Sequence, residues 1–178
     1  TRRIGVGYDL TVERRSLTTG AVDTTYGVNG TATLLGNSTN SLWDFQLDAT
    51  GGVLWSQRPD YEDAAPGISA FVKVARLGPA GTPDTTFGNG GVAFITTPYQ
   101  SAAGTWLSTT VLPDDSIMVI GRGDAQIPDV PAVNAVAVKL TASGQLDPSF
   151  GSGGVAETPV TLGPVSGYVD QHGVTFAT

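Results

Sequence analysis

The chain has 178 residues, a size that suits one domain with a buried core, and its lack of cysteine excludes disulfides and thiolate metal sites. Hydrophobic residues make up 40% and charged residues only 14%, below the roughly 25% charged of ordinary soluble chains, while 24 glycines favour many short strands joined by turns. The formal net charge of −7, with its cations scattered, would repel a nucleic-acid backbone, and no apolar run approaches the roughly 18 residues of a membrane span.

The sequence starts Thr1-Arg2-Arg3-Ile4, with neither Met nor an apolar signal-peptide core, as expected of a mature or excised piece of a longer precursor. Ile4, Val6, Tyr8, Leu10 and Val12 alternate with polar or small residues, which predicts a strand over 4–12. A glycine-containing corner follows at 15–30, then strands at 31–35, 42–47 and 53–56, separated by turns at 36–40 and 48–52. Prolines and charges make 57–67 a loop, and a strand at 69–77 closes the unit. The order then repeats, with a corner at 76–91, strands at 92–96, 106–112 and 116–121, a loop at 122–132 and a strand at 133–140. A third corner at 139–154 leads into strands beginning at 155, 165 and 173, one strand short of a full unit. Trp43 and Trp106 fall near the second strand of their units and read as core.

The three corners are copies of one pattern. A cation (Arg15, Arg76, Lys139) is followed five residues later by Gly20, Gly81 or Gly144 and eight later by Asp23, Asp84 or Asp147. An aromatic (Tyr26, Phe87, Phe150) comes eleven residues after the cation, and Gly27, Gly88 or Gly151 twelve after it. Asp23 and Asp84 stand 61 residues apart, Asp84 and Asp147 63. The first glycine suits a turn with positive φ, and the Asp suits an Asx-type turn within reach of the preceding cation. The aromatic returns to the core, and the second glycine lets the backbone pass close to a neighbour. One structural corner made three times explains the pattern without invoking a ligand loop.

The same residues carry a family likeness. The pattern R-L-x-x-x-G-x-x-D-x-x-F-G-x-G-G, with Asp114-Asp115-Ser116-Ile117-Met118-Val119-Ile120-Gly121 midway between copies, resembles the delta-60 repeat of large, mostly secreted bacterial proteins. The likeness covers nearly the whole chain and departs from the pattern at Tyr26, at Lys139 and at Thr50-Gly51-Gly52. That family is similar to NHL-type repeats, so the resemblance implies propeller-like blades, an extracellular or cell-surface setting and no particular reaction. The expected fold is all-β, a single domain over 1–178 with three four-stranded repeats of about 60 residues, β-propeller-like. Strand 4–12 is expected to complete the last repeat. Three units are fewer than the roughly four to eight blades of a closed ring. Pairing of two copies, membership of a larger ring and a β-trefoil-like closure therefore stay open.

Candidate chemistry is sparse. His172 is the only histidine, it lies in an expected turn beside Asp170, and no nucleophile motif accompanies it. Asp114-Asp115, the group Asp60, Glu62 and Asp63, and the pair Asp124 and Asp129 lack EF-hand spacing, so no metal site is assigned, although Ca²⁺ is the one cofactor such turns would admit. The irregular loops offer the ligand-binding candidates: Trp55, Arg58 and Tyr61 as an aromatic and cationic face for a glycan or protein, and Arg122 and Asp124 within an Arg-Gly-Asp tripeptide. Asn29 and Asn37 head glycosylation sequons, and Thr1 has no companions for N-terminal nucleophile chemistry. The chain thus reads as a non-catalytic binding, adhesive or structural module that associates with itself, or with repeats of a parent protein, through open strand edges. The alternatives are a propeller hydrolase or lactonase with a divalent ion, and a carbohydrate-binding module.

Overall fold

Short alternating runs broken by glycine turns give strands and no helix among the described residues. In this computed structural model those residues are 10–34, 44–57, 70–96, 99–101, 108–125, 133–160, 166–170 and 173–177. The strands are β1 (Leu10–Glu13), β2 (Thr31–Leu34), β3 (Asp44–Leu47), β4 (Val53–Gln57), β5 (Ala70–Leu77), β6 (Val92–Thr96) and β7 (Tyr99–Ser101). They continue with β8 (Ser108–Val111), β9 (Ile117–Ala125), β10 (Val133–Leu140), β11 (Val155–Val160), β12 (Ser166–Asp170) and β13 (Gly173–Ala177).

Every pairing is antiparallel between neighbours in the chain or nearly so, the arrangement that short turns permit. One sheet runs β3-β4-β5-β6, with Asp44 opposite Ser56, Trp55 opposite Ala75 and Ala75 opposite Val92. A second runs β11-β10-β9, and β8 and β7 lie end to end along the free edge of β9, Ser108 opposite Ile120 and Ser101 opposite Gly123. Two hairpins, β1-β2 and β12-β13, stand as separate two-stranded sheets.

Each corner therefore lies inside a sheet, linking strands that pair with one another: β1 to β2, β5 to β6 and β10 to β11. Counting units from corner to corner places the boundary one strand away from where the sheets divide. Among the described residues the sheets do not close on one another. Within the described residues β1 pairs with β2 alone, and the pairing expected between strand 4–12 and the last repeat is not formed by residues 10–12; 4–9 lie outside the described residues.

The loop expected at 122–132 begins later, because β9 continues through Arg122, Gly123 and Asp124 to Ala125. The eight residues of β10 supply partners for β9 from Ile117 to Asp124, and β7 adds a second ladder from Gly123 to Ala125. Hydrogen bonding on both edges outweighs the turn preference of Arg-Gly-Asp. The three polar residues of β7 carry no periodic signal, and only the extended edge of β9 makes them a strand.

Burial explains why the layers stack. β4 is buried along its whole length, so both faces of the sheet are covered at that strand, while Phe45, Leu47 and Phe94 on the outer strands are exposed. Leu54, Val72 and Val74 face Ile117, Val119, Val136, Val138 and Leu140 of the second sheet, with Phe87 enclosed among them. On the opposite face Val53, Trp55, Ala75 and Leu77 pack against Tyr26 and Ala32. Beyond the second sheet Met118, Ile120 and Ala137 meet Phe150. Each corner aromatic thus seals one side of a sheet, and full burial of such a ring is worth about 1.5–3 kcal/mol.

Candidate functional site

The corners are the most regular feature of the molecule. Asp23, Asp84 and Asp147 each accept two bonds at Oδ1 from the residue two further on: from Thr25 N and Oγ1 at 3.0 and 2.5 Å, from Thr86 at 3.0 and 2.6 Å, and from Ser149 at 3.0 and 2.6 Å. Their carbonyls accept from the N–H of Tyr26, Phe87 and Phe150 at 3.0 to 3.1 Å, which turns each ring inward. Gly27, Gly88 and Gly151 then follow at φ 54–55°, and a Cβ at any of them would stand 2.1–2.2 Å from the carbonyl oxygen four residues on. Only glycine fits there. The Asp-x-Thr/Ser spacing is present in the sequence at all three corners and marks this turn.

Successive corners interlock. The carbonyl of Ala80, at the tip of the second corner, accepts from Gly27 N of the first at 2.8 Å, and the carbonyl of Ser143 accepts from Gly88 N at 2.9 Å. Arg14 Nη1 donates to Pro79 O at 2.6 Å, and Arg76 Nη1 to Ala142 O at 3.3 Å. A Cβ at Gly81 would lie 3.0 Å from the Tyr26 ring, and one at Gly144 2.9 Å from the Phe87 ring. The glycine face of one corner is therefore the seat of the preceding aromatic. This is the physical reason for the first glycine of the repeated pattern.

The first corner corrects one assignment. The cation paired with Asp23 is Arg14, whose Nη2 lies 2.8 Å from Oδ2, and not Arg15, which binds Glu13 at 2.6 Å and the carbonyl of Gly20 at 2.9 Å. Backbone bonds place Arg14 in the role of Arg76 and Lys139: its N–H donates to Gly30 O and its carbonyl accepts from Asp23 N. The first turn holds one residue more than the others, with Gly20 N bonding Ser16 O, where Gly81 and Gly144 bond Gly78 and Thr141. Two adjacent arginines hide this shift from spacing alone.

In the second corner Arg76 is held by two carboxylates. Its Nη2 and Nε lie 2.8 and 3.1 Å from Asp48 Oδ2, and its Nε is 3.6 Å from Asp84 Oδ2. Asp48 also accepts at Oδ1 from Thr50 N, Thr50 Oγ1 and Gly52 N at 2.7–2.9 Å. Burial pushes the Asp48 carboxyl up, but the bonds from Thr50, Arg76 and Gly52 together hold it below the usual carboxylate range. The third corner uses Lys139 against Asp147 at 3.0 Å; hydrogen bonds from Ser149 and then Lys139 bring Asp147 down to about 2. Thr25 and Arg14 lower Asp23, Ser116 lowers Asp114, and Asp147 raises Lys139. These shifts come from ligands within the corners and midway turns themselves.

The ligand candidates fare differently. Trp55 is 8% exposed and packs in the core with Tyr26, Val53 and Leu77, so it cannot present a sugar-binding face. Arg58 and Tyr61 lie outside the described residues, as do Trp43, Trp106, His172, Asp60, Glu62, Asp63 and Asp129. Arg122 and Asp124 sit within β9, opposite Ala135 and Val133 on β10, in ladder positions instead of a presenting loop. Among the described residues no group of three or more His, Asp or Glu is placed to hold a metal ion.

Two features were not legible beforehand. A polar seam joins the two larger sheets: Thr109 Oγ1 donates to Ser56 Oγ at 2.5 Å inside the protein, and Thr109 N donates to Asp44 Oδ2 at 2.6 Å. An open groove of about 490 Å³ runs between the second and third corners, lined by Gly88, Ala93, Ile95, Gly144 and Leu146 among others, with no charged side chain among the described lining residues. Both arise from residues far apart in sequence, so no local pattern announces them. Comparison with protein-family models, curated proteins and solved structures returns no match for this chain.

Proposed function

We propose that the chain is a non-catalytic β-repeat module of an extracellular or cell-surface assembly, serving a structural, adhesive or binding role. The observation that carries this reading is the use of the carboxylates in its corners and midway turns. Asp23, Asp48, Asp84, Asp114 and Asp147 each accept local hydrogen bonds, and four of them also meet Arg14, Arg76 or Lys139. Carboxylates spent on their own turns hold the fold and leave little for a substrate. A corner copied three times and interlocked twice is the architecture of a scaffold. The delta-60 resemblance, with its propeller-like arrangement, supports the same reading by analogy.

The test is direct. The purified chain is assayed for hydrolysis of lactones and aryl glycosides with and without Ca²⁺, beside Asp84→Asn and Asp147→Asn variants. No turnover is expected, and both variants lower the melting temperature. Saturable turnover that vanishes in a corner variant whose melting temperature is unchanged would sink the proposal.

A further inference from the structure

The interlock that joins the first corner to the second, and the second to the third, leaves one half-joint open at each end. At the first corner the tip glycine, Gly20, has nothing among the described residues within 4 Å of where a Cβ would stand, whereas Gly81 and Gly144 each face an aromatic ring. Leu17, the additional residue of that turn, is fully exposed. At the third corner Phe150 is only partly buried, against 1% and 0% exposure for Tyr26 and Phe87. Gly151 N–H has no acceptor among the described residues, while Gly27 and Gly88 donate to the next corner's carbonyl. Lys139 reaches Asp147 but has, among the described residues, no counterpart to the carbonyls of Pro79 and Ala142 that bind Arg14 and Arg76.

We propose that copies of this chain join head to tail, the first corner of one copy docking on the third corner of another. The module reading above underlies this inference, which adds a corner joint to association through strand edges. The pairing follows from the two interlocks already formed. Gly20 of the second copy covers the Phe150 ring as Gly144 covers Phe87. Thr19, four residues before its Asp as Ala80 and Ser143 are, accepts from Gly151 N–H. Thr18, in the place of Pro79 and Ala142, offers its carbonyl to Lys139.

The terminal hairpins agree with this geometry. The sheet β3-β4-β5-β6 consists of a hairpin, then a strand, a corner and a strand. β12-β13 followed by β1 and β2 of a second copy repeats that order, so the same docking supplies each isolated hairpin with the partner it lacks. A two-stranded hairpin is marginal alone and gains by joining a larger sheet. Because the two surfaces differ, the contact is heterologous, and repetition yields a ring or an open filament.

Sedimentation velocity over a concentration series, up to about 1 mM to capture millimolar affinity, tests the joint. Mass is expected to grow with concentration for the unaltered chain. Gly20→Asn places a side chain where the Phe150 ring must sit, while asparagine tolerates the φ of 71° at that position. Its dissociation constant is expected to rise at least tenfold, about 1.4 kcal/mol, and its melting temperature in dilute solution to stay within about 2 °C of the parent. Amide shifts of the unaltered chain give a readout that needs no variant: the Gly20 and Gly151 signals move as concentration rises. Association unaffected by Gly20→Asn, or leaving both signals unmoved, overturns the corner joint but not the self-assembling module. A monomer at every concentration overturns self-association altogether, while the non-catalytic module reading stands or falls by its own turnover assay.

Discussion

Removing a hydroxyl from the core should stabilise this protein. Tyr26 stands where the other two corners carry Phe87 and Phe150, and it is 1% exposed with no hydrogen-bond partner for its hydroxyl among the described residues. A buried hydroxyl left unpaired costs about 1–3 kcal/mol, measured against an apolar group of the same shape. Tyr26→Phe keeps the ring, its packing against Val53, Trp55 and Leu77, and the Arg14 guanidinium 4.7 Å from its centroid. The weaker ring quadrupole gives back a few tenths of a kcal/mol at most. The net expectation is about 1 kcal/mol of added stability, or roughly 2–4 °C in melting temperature for a chain of this size. Burial also raises the Tyr26 pKa above 10.0, so the folded state favours the neutral phenol. That contribution is present below the unfolded pKa and is lost as pH rises through the folded one. The advantage of phenylalanine should therefore widen above pH 10. Urea titrations of both proteins at neutral pH and at alkaline pH measure this. A loss of more than about 0.5 kcal/mol on substitution, or a difference independent of pH, would refute the reasoning.

Three further outcomes follow from the same geometry. Asp48→Asn leaves the Arg76 guanidinium, whose side chain is 12% exposed, with Asp84 at 3.6 Å as its remaining carboxylate among the described residues, and should cost about 1–3 kcal/mol by denaturant titration. Because the Asp48 pKa is lowered on folding, its contribution is present above 3.8 and lost as pH falls through the folded value, so the variant's stability should fall less steeply in acid than the parent's. Gly144→Ala adds a clash with the Phe87 ring to the strain of a φ of 79°, for a loss of about 2–4 kcal/mol, whereas Gly20→Ala, opening onto solvent at φ 71°, should lose about 1 kcal/mol in dilute solution. Thr109→Val leaves Ser56 Oγ buried without its partner and should cost about 1–2 kcal/mol, and adding Ser56→Ala should recover much of it, as a double-mutant cycle would show.

The local parts of this fold were legible because local chemistry determines them. Glycine at the corner positions, Asp followed two residues later by Thr or Ser, and alternating valines restrict the backbone over a few residues at a time, and they place corners and most strands within one or two residues of where they lie. Strands β6 and β10 match their expected bounds, and β4 and β5 differ by one residue at a single end. What the sequence alone could not determine depends on which segments meet. Trp55 is equally a loop aromatic and a core residue until the first hairpin covers it. Arg122 and Asp124 have turn preferences that yield to the ladders on both edges of β9. Arg14 and Arg15 are interchangeable by composition, and only the backbone bonds to Gly30 and Asp23 select the first. The fit of one corner's glycine over the preceding corner's aromatic spans some sixty residues of sequence, and tertiary structure decides it because close packing, not local propensity, brings those surfaces together.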